Sequence, residues 1–218
     1  MKNFLVGAAV VGVLVVGAAP VKAALSLTLS DGNPLHEQVL TDSGSPGSIL
    51  FVNGTVGDWS IGQFVGVSEL GEPLPVLDLN YLVRGNPGNS SILTVTLTET
   101  GYKRPGASIG DILLALGGIG GSGSVAQSGL INGSAVGVQG AFNGVSYHGD
   151  RVFTFSPLEG DEFAISEQLV FMGTGQIGGD AVLGLASVPE PGTAMVGVFA
   201  GVCGLGAVTV RAFKVRKG

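Results

Sequence analysis

The chain has 218 residues, of which 45% are hydrophobic and 39 are glycine, and its formal net charge is −6. Its one cysteine excludes a disulfide framework, and its acidic balance excludes a nucleic-acid-binding surface, because negative side chains repel the phosphate backbone. The length allows one domain with its own hydrophobic core, besides two terminal segments.

The first 23 residues have the pattern of a secretory signal peptide. Lys2 supplies a positive start, and residues 4–19 form an uncharged apolar run. Val21 and Ala23 then occupy the two positions that signal peptidase reads before the bond to Ala24. We therefore predict a signal-peptide helix that is removed by cleavage between Ala23 and Ala24. An uncleaved N-terminal anchor is the alternative.

Residues 24–187 are predicted to form an all-β body, a β-sandwich of jelly-roll-like or immunoglobulin-like type. Leucine alternates with serine or threonine in residues 25–30, and apolar residues alternate with threonine in residues 93–98. This period of two indicates strands with one buried face. The other predicted strands are at residues 49–52, 76–83, 152–155 and 163–172.

Three segments of the body are less regular. Asn53-Gly54 is a typical turn signal. Residues 109–116 form an apolar run that fits either a short helix or a buried strand, because such a run has no period. Residues 117–144 are rich in glycine and serine, and they indicate either glycine-rich strands or a long surface loop.

The body is more acidic than the whole chain. Residues 24–187 contain four Lys or Arg and fifteen Asp or Glu, a net charge of −11. Such a composition fits a soluble secreted domain that binds no nucleic acid.

Little in the body indicates catalysis. His36 and His148 are isolated from any nucleophile motif, and we expect both on the surface. No catalytic or cofactor-binding residue is predicted, and the protein is not expected to be an enzyme. Calcium is the one cofactor that the sequence leaves open, since Asp31-Gly32-Asn33 and Gly178-Gly179-Asp180 place oxygen ligands in predicted loops. The spacing of a known calcium loop is absent, so no metal site is assigned.

The body also contains four aromatic residues that could carry either of two roles. An exposed row of rings could stack on sugars, whereas buried rings would simply fill the core. We expect core packing for all of them, namely Trp59, Tyr81, Tyr102 and Tyr147.

Residues 188–218 have the order of a membrane-sorting signal. The motif Pro189-Glu190-Pro191 precedes an uncharged apolar stretch, residues 194–210, which is just long enough for one transmembrane helix. The stretch ends in a basic stop formed by Arg211, Lys214, Arg216 and Lys217. These cations hold the C-terminus in the cytoplasm, which places the body outside the inner membrane.

A signal peptide at one end and this motif, span and basic stop at the other resemble the PEP-CTERM proteins of Gram-negative bacteria. The resemblance is carried by residues 188–217. It implies recognition of Pro189-Glu190-Pro191 by exosortase, a membrane cysteine protease, and removal of the tail. Residues 75–80 and 93–102 are also similar to a body type that recurs in this family and has no known activity. A permanent anchor with a proline-rich stalk is the alternative for the tail.

The resemblance leads to one functional expectation. The protein would be exported as an inner-membrane-attached precursor and then sorted to the cell surface or to an exopolysaccharide matrix, as in a biofilm, in a structural or adhesive role. Its implied partners are signal peptidase, an exosortase-like protease, the inner membrane transiently, and exopolysaccharide. The alternative is a secreted carbohydrate-binding module or hydrolase whose site is not visible in the sequence.

Overall fold

The computed structural model describes residues 24–42, 47–68, 76–88, 91–103, 109–154 and 162–187. The predicted signal peptide, sorting motif, apolar span and basic stop lie outside these residues. Within these six ranges, no helix has the length and apolar character needed to cross a membrane.

The described residues form twelve strands and no helix. The strands are β1 (Ala24–Ser30), β2 (Gln38–Thr41), β3 (Ser48–Val56), β4 (Trp59–Ser68), β5 (Val76–Gly85), β6 (Leu93–Lys103), β7 (Ile109–Gly120), β8 (Ser124–Ile131), β9 (Ser134–Asn143), β10 (Ser146–Thr154), β11 (Glu162–Met172) and β12 (Gly175–Ser187).

The strands form two six-stranded sheets in which all neighbours are antiparallel. Sheet 1 has the order β2-β1-β6-β11-β8-β9, and sheet 2 has the order β10-β7-β12-β5-β4-β3. Their inner faces contribute to one hydrophobic core. The predicted all-β fold is confirmed, and the two sheets are consistent with a β-sandwich.

Alternation in the sequence explains the buried faces. In β1, Leu25, Leu27 and Leu29 are buried while the serines and threonines between them are not, and β6 repeats this pattern from Leu93 to Leu97. Side chains on a strand point alternately to opposite faces, so each of these leucines reaches the core. Burying one such side chain stabilises the fold by about 1.5–3 kcal/mol.

The two ambiguous segments are strands. Residues 109–116 belong to β7, which pairs with β10 on one side and β12 on the other. Residues 117–144 continue β7 and supply β8 and β9, so the alternative of a long surface loop is wrong. Glycines fit here because large side chains from neighbouring strands lie directly over them, as the ring of Phe153 lies over Gly137.

The predicted turn at Asn53-Gly54 is wrong, because both residues lie inside β3. Asn53 has a left-handed backbone with φ of 53°, and a bulge in β4 lies at the facing residue, Gly62. The hairpin turn is at Gly57-Asp58, where Gly57 has φ of 54°. Asn and Gly tolerate this conformation both in turns and in irregular strands, so the dipeptide alone does not decide between them.

Two tyrosines of sheet 2 meet over a pair of glycines. One register row runs from Tyr81 in β5 through Gly179 in β12 and Gly118 in β7 to Tyr147 in β10. The two hydroxyl oxygens are 2.8 Å apart, and Tyr147 donates to the Gly178 carbonyl at 3.2 Å. A Cβ at Gly118 would lie 2.5 Å from the Tyr147 hydroxyl. The absence of side chains at the glycines therefore leaves room for both rings.

Candidate functional site

An open cleft lies between the loop that joins β1 to β2 and the hairpin that joins β3 to β4. Its volume is about 480 Å³, and it is lined by Asp31, Leu35, His36, Gln38, Thr55, Gly57 and Asp58. Most of these side chains are polar, and they include one of the two histidines. We call this feature the loop cleft.

An aspartate–histidine pair organises the loop cleft. Asp31 Oδ2 lies 2.8 Å from His36 Nδ1, and Asp31 Oδ1 accepts a hydrogen bond from the Asn33 backbone N–H at 2.9 Å. The Asp31 side chain is only 8% exposed, whereas His36 is 44% exposed. Gly57 is in close contact with the carboxylate, since a Cβ there would lie 1.9 Å from Asp31 Oδ2.

The pair lowers the pKa of Asp31. The hydrogen bond from His36 is the main cause, partial burial opposes it, and the Asn33 N–H adds to the lowering. Asp31 therefore stays ionised, and a protonated Nδ1 of His36 donates to it. The free nitrogen, Nε2, lies 3.5 Å from Asn33 Nδ2. Its partner among the described residues is an amide donor and not a hydroxyl nucleophile, so Asp31 orients the imidazole without a catalytic triad in that part of the chain.

The second histidine lies elsewhere. His148 is on β10, its side chain is 77% exposed, and its Nε2 is 3.7 Å from Asp150 Oδ1. His36 lies in the β1–β2 loop, beside the hairpin that joins β3 to β4. β3 and β10 are opposite edges of sheet 2, roughly 24 Å apart at the usual strand spacing. The prediction that both histidines are surface residues is confirmed, and the fold does not bring them together.

The two predicted calcium loops have different outcomes. Asp31-Gly32-Asn33 does lie in a loop, where Asp31 is already held by His36. Gly178-Gly179-Asp180 is a strand segment, because β12 pairs there with β5 and β7, so that prediction of a loop is wrong. Over the described ranges, no group of three His, Cys, Asp or Glu residues is placed to hold a metal ion.

The four aromatic residues pack inward. Trp59, Tyr81 and Tyr147 are buried, and Tyr102 is half-buried against the core. Core packing is confirmed, and the alternative of an exposed stacking row is wrong for these four. Burial and the contact with Tyr147 raise the pKa of Tyr81, which therefore stays a neutral hydroxyl.

The structure also reveals buried acids that the sequence analysis missed. Glu99 and Glu167 point into the core from β6 and β11, and each is at most 1% exposed. The sequence does contain a sign that Glu167 is buried, because Glu167 continues the inward alternation of Ile165, Leu169 and Phe171. Acids are rarely buried without a partner, so an acid within an apolar alternation would not be assigned to the core from the sequence.

Glu167 is part of a buried amide network. The Gln127 side chain donates to Glu167 Oε1 and, at 3.1 Å, to the Val182 carbonyl, while Gln139 donates to Gln127. Glu167 Oε2 has no hydrogen-bond partner among the described residues. Burial raises the pKa of Glu167 well above its usual value, although the Gln127 hydrogen bond opposes this, and the charges of Asp78 and Asp180 raise it further.

Glu99 has different partners. Its Oε2 accepts hydrogen bonds from the Ser68 hydroxyl and the Tyr102 hydroxyl, and these two oxygens are 3.2 Å apart. Burial and the contact with Glu99 raise the pKa of Tyr102. The three side chains link the end of β4, in sheet 2, to β6, in sheet 1. At this point the two sheets are therefore connected by hydrogen bonds.

Comparison with known proteins adds no assignment. No family model matches the chain, and no curated protein is significantly similar to it.

Replacing His36 by alanine is expected to raise the pKa of Asp31 toward its ordinary value of 3.8. The reason is that the hydrogen bond from His36 is the main cause of the lowering. Folding stability linked to Asp31 is present above the ordinary pKa and is lost as pH falls through the lowered one. An NMR titration of the Asp31 carboxyl carbon measures the change. His148→Ala is the control and should leave Asp31 unaffected; an unchanged Asp31 titration in His36→Ala would contradict the assignment.

Proposed function

We propose that this chain is a non-enzymatic exported protein, sorted by its C-terminal signal to the cell surface or an exopolysaccharide matrix, where its β-domain has a structural or adhesive role. One observation carries the proposal. The first described strand begins at Ala24 and the last ends at Ser187. Both lie within residues 24–187, the range predicted for the body between a cleaved signal peptide and a sorting signal, and an all-β domain in that range supports the proposal.

The placement of the ionisable residues favours a structural role. His148 is on β10 at an edge of sheet 2, whereas His36 is in the loop between β1 and β2 of sheet 1, and the buried acids Glu99 and Glu167 hydrogen-bond within the core. General acid–base catalysis needs such groups together at an accessible surface. Within the β-sandwich class, a jelly-roll-like or immunoglobulin-like relationship remains our proposal. The predicted partners, signal peptidase and an exosortase-like protease, follow from the terminal signals alone.

The sorting signal is tested by replacing Glu190 with alanine in a host that carries the processing enzyme. A protease that recognises Pro189-Glu190-Pro191 should lose its substrate, so the precursor should accumulate in the inner membrane with its tail attached. A plain anchor needs only the apolar stretch and the basic stop, and would not respond. Cell fractionation and intact mass measure the result. Glu162→Ala, at an exposed glutamate of the body, is the matched control.

Three outcomes of this experiment distinguish between a sorting signal, a permanent anchor and an incidental motif. Release of the wild type and of Glu162→Ala, with retention of Glu190→Ala, supports sorting. Retention of all three in the membrane at full mass indicates a permanent anchor. Equal release of all three means that the motif is incidental. Hydrolysis of a polysaccharide by the purified protein would favour the alternative of a secreted hydrolase.

A further inference from the structure

The central part of the outer face of sheet 1 is an array of mostly hydroxyl-bearing side chains. Alternate residues of β1, β6, β8 and β11 supply most of it, and β2 adds one. We call it the hydroxyl face. Its hydroxyl-bearing members are Ser26, Thr28, Ser30, Thr41, Thr94, Thr96, Thr98, Ser128 and Ser166, of which Ser166 is only 7% exposed, and Gln168 adds an amide.

The register aligns these side chains in rows. One row contains Thr41, Ser26, Thr98 and Ser166 on four adjacent strands. The next contains Thr28, Thr96, Gln168 and Ser128, again on four adjacent strands. Neighbours within a row are about 4.8 Å apart and successive rows about 6.7 Å apart, from the geometry of strands. The face is therefore a regular lattice of hydrogen-bonding groups.

The hydroxyl face carries no charge, in contrast to the rest of the domain. The first row continues through Leu130 of β8 to Ala135 of the edge strand β9, and the second continues from Ser128 to Val138 of β9. Neither row contains an ionisable side chain. The outer face of sheet 2 differs, since its two central rows include Asp78, Asp180 and Asp150. The two central rows of this face are thus neutral in a body of net charge −11, and the exposed Glu162 at the start of β11 lies beyond them.

Hydrogen bonds within the hydroxyl face hold several of its side chains in place. Thr98 Oγ1 and Ser166 Oγ are 2.8 Å apart, and Gln168 Nε2 donates to Thr96 Oγ1 at 3.3 Å. Ser26 Oγ donates to the Thr98 carbonyl at 3.5 Å. Side chains held in this way lose less conformational entropy when they bind a partner.

We propose that the hydroxyl face binds a neutral, ordered polysaccharide. Serine and threonine hydroxyls both donate and accept hydrogen bonds, which matches the hydroxyls of sugars. An acidic polymer would be repelled by the charge of the body, and a cationic one would prefer the aspartates of sheet 2. A neutral polymer is the one class whose binding an uncharged face favours over the remaining surface.

The regular spacing specifies a polymer and not a single sugar. One hydrogen bond contributes only about 1 kcal/mol net, so binding needs several at once. A chain or fibre with repeating hydroxyls can meet successive rows together, whereas a monosaccharide cannot. Among the described residues no Phe, Tyr or Trp ring is exposed, so recognition relies on hydrogen bonds instead of stacking. This inference rests on the proposed surface or matrix location and adds the binding face and the class of partner.

The test is a binding assay of the full chain, purified in mild detergent, on microcrystalline cellulose as the neutral ordered probe. Calcium alginate beads are the acidic comparison. Thr96→Val with Thr98→Val keeps side-chain shape and strand preference but removes two hydroxyls of the face. We expect this variant to bind cellulose roughly 10- to 30-fold more weakly, as the loss of two hydrogen bonds implies. The matched control, Thr154→Val at an exposed position of sheet 2, should bind like the wild type.

Two further measurements complete the experiment. Wild-type binding to cellulose should change little between low and high salt, because no charge pair is involved, and free glucose should not compete. If the double variant fails to fold, Thr28→Val replaces it, since that hydroxyl belongs to the row of Thr96 and its removal keeps the strand shape. Circular dichroism verifies the fold of each variant.

The proposal would be overturned by wild type that does not bind cellulose, by preference for alginate, or by a double variant that binds as well as the control. Wild type that adsorbs to ice crystals but not to cellulose, or that self-associates through this face, would also overturn it. Failure here is distinguishable from failure of the proposed sorting. Processing of the tail depends on Glu190 and is followed by mass, whereas cellulose binding depends on Thr96 and Thr98.

Discussion

Replacing Gly179 by alanine is expected to destabilise the domain by about 3 kcal/mol or more, the upper range for overpacking a tight site. The new Cβ would lie 2.2 Å from the Gly117 carbonyl oxygen and 2.8 Å from the Tyr81 hydroxyl. The nearest atom belongs to backbone, and β12 is paired with β5 and β7, so neither strand can retreat without breaking ladder hydrogen bonds. Urea denaturation should show a lower midpoint with an unchanged slope.

Gly184→Ala is the matched control for that prediction. Gly184 lies in the same strand, and a Cβ there meets nothing within 4 Å. The substitution should be neutral or should stabilise the domain by up to about 1 kcal/mol, because alanine restricts the unfolded chain more than glycine does. Equal urea midpoints for the Gly179 and Gly184 variants would show that the row formed by Tyr81, Gly179, Gly118 and Tyr147 is not as tightly packed as the structure indicates.

Replacing Glu167 by glutamine is expected to remove a pH-dependent loss of stability. The native pKa of Glu167 is raised above the ordinary value of 4.5, mainly by burial. The stability linked to it is therefore fully present below the ordinary value and is lost as pH rises through the native pKa. At pH 8 the variant should be more stable than the wild type by about 2 kcal/mol or more, because it avoids an unpaired buried charge.

Urea denaturation of both proteins across pH 4–9 checks this prediction. The difference between their free energies of unfolding should be small at the acid end and should grow as pH rises. Glu162→Gln, at an exposed position of the same strand, is the control and should follow the wild type at every pH. A difference between Glu167→Gln and the wild type that is constant across the range would mean that the carboxyl does not titrate in the native domain.

Strands that alternate strictly were predictable from the sequence. Residues 25–30 and 93–98 form β1 and β6 because the period of two is a local property that determines which face is apolar. Residues 109–116 were not decidable, since a continuous apolar run fits a buried helix or a buried strand. The structure decides for a strand because β7 lies between β10 and β12, and those partners are distant along the chain.

The candidate sites show the same division. The Asp31 loop was predictable because its turn residues are contiguous, and the surface positions of His36 and His148 followed from their isolation in the sequence. The strand at Gly178-Gly179-Asp180 was not predictable, because glycine and aspartate usually end strands. Here Gly179 is needed beneath the Tyr81 side chain of the neighbouring strand, which only strand pairing brings into place.

By itself, the sequence determined the class of fold and the order of the terminal motifs from which we propose export, because both depend on neighbours along the chain. Only the tertiary structure decided that Glu167 is buried in an amide network, that Tyr81 meets Tyr147, and that the threonines of β6 align with hydroxyls of β1 and β11. The physical reason is register. A shift of one residue between paired strands would turn every one of these side chains to the opposite face, and register is set by the packing of all the strands together.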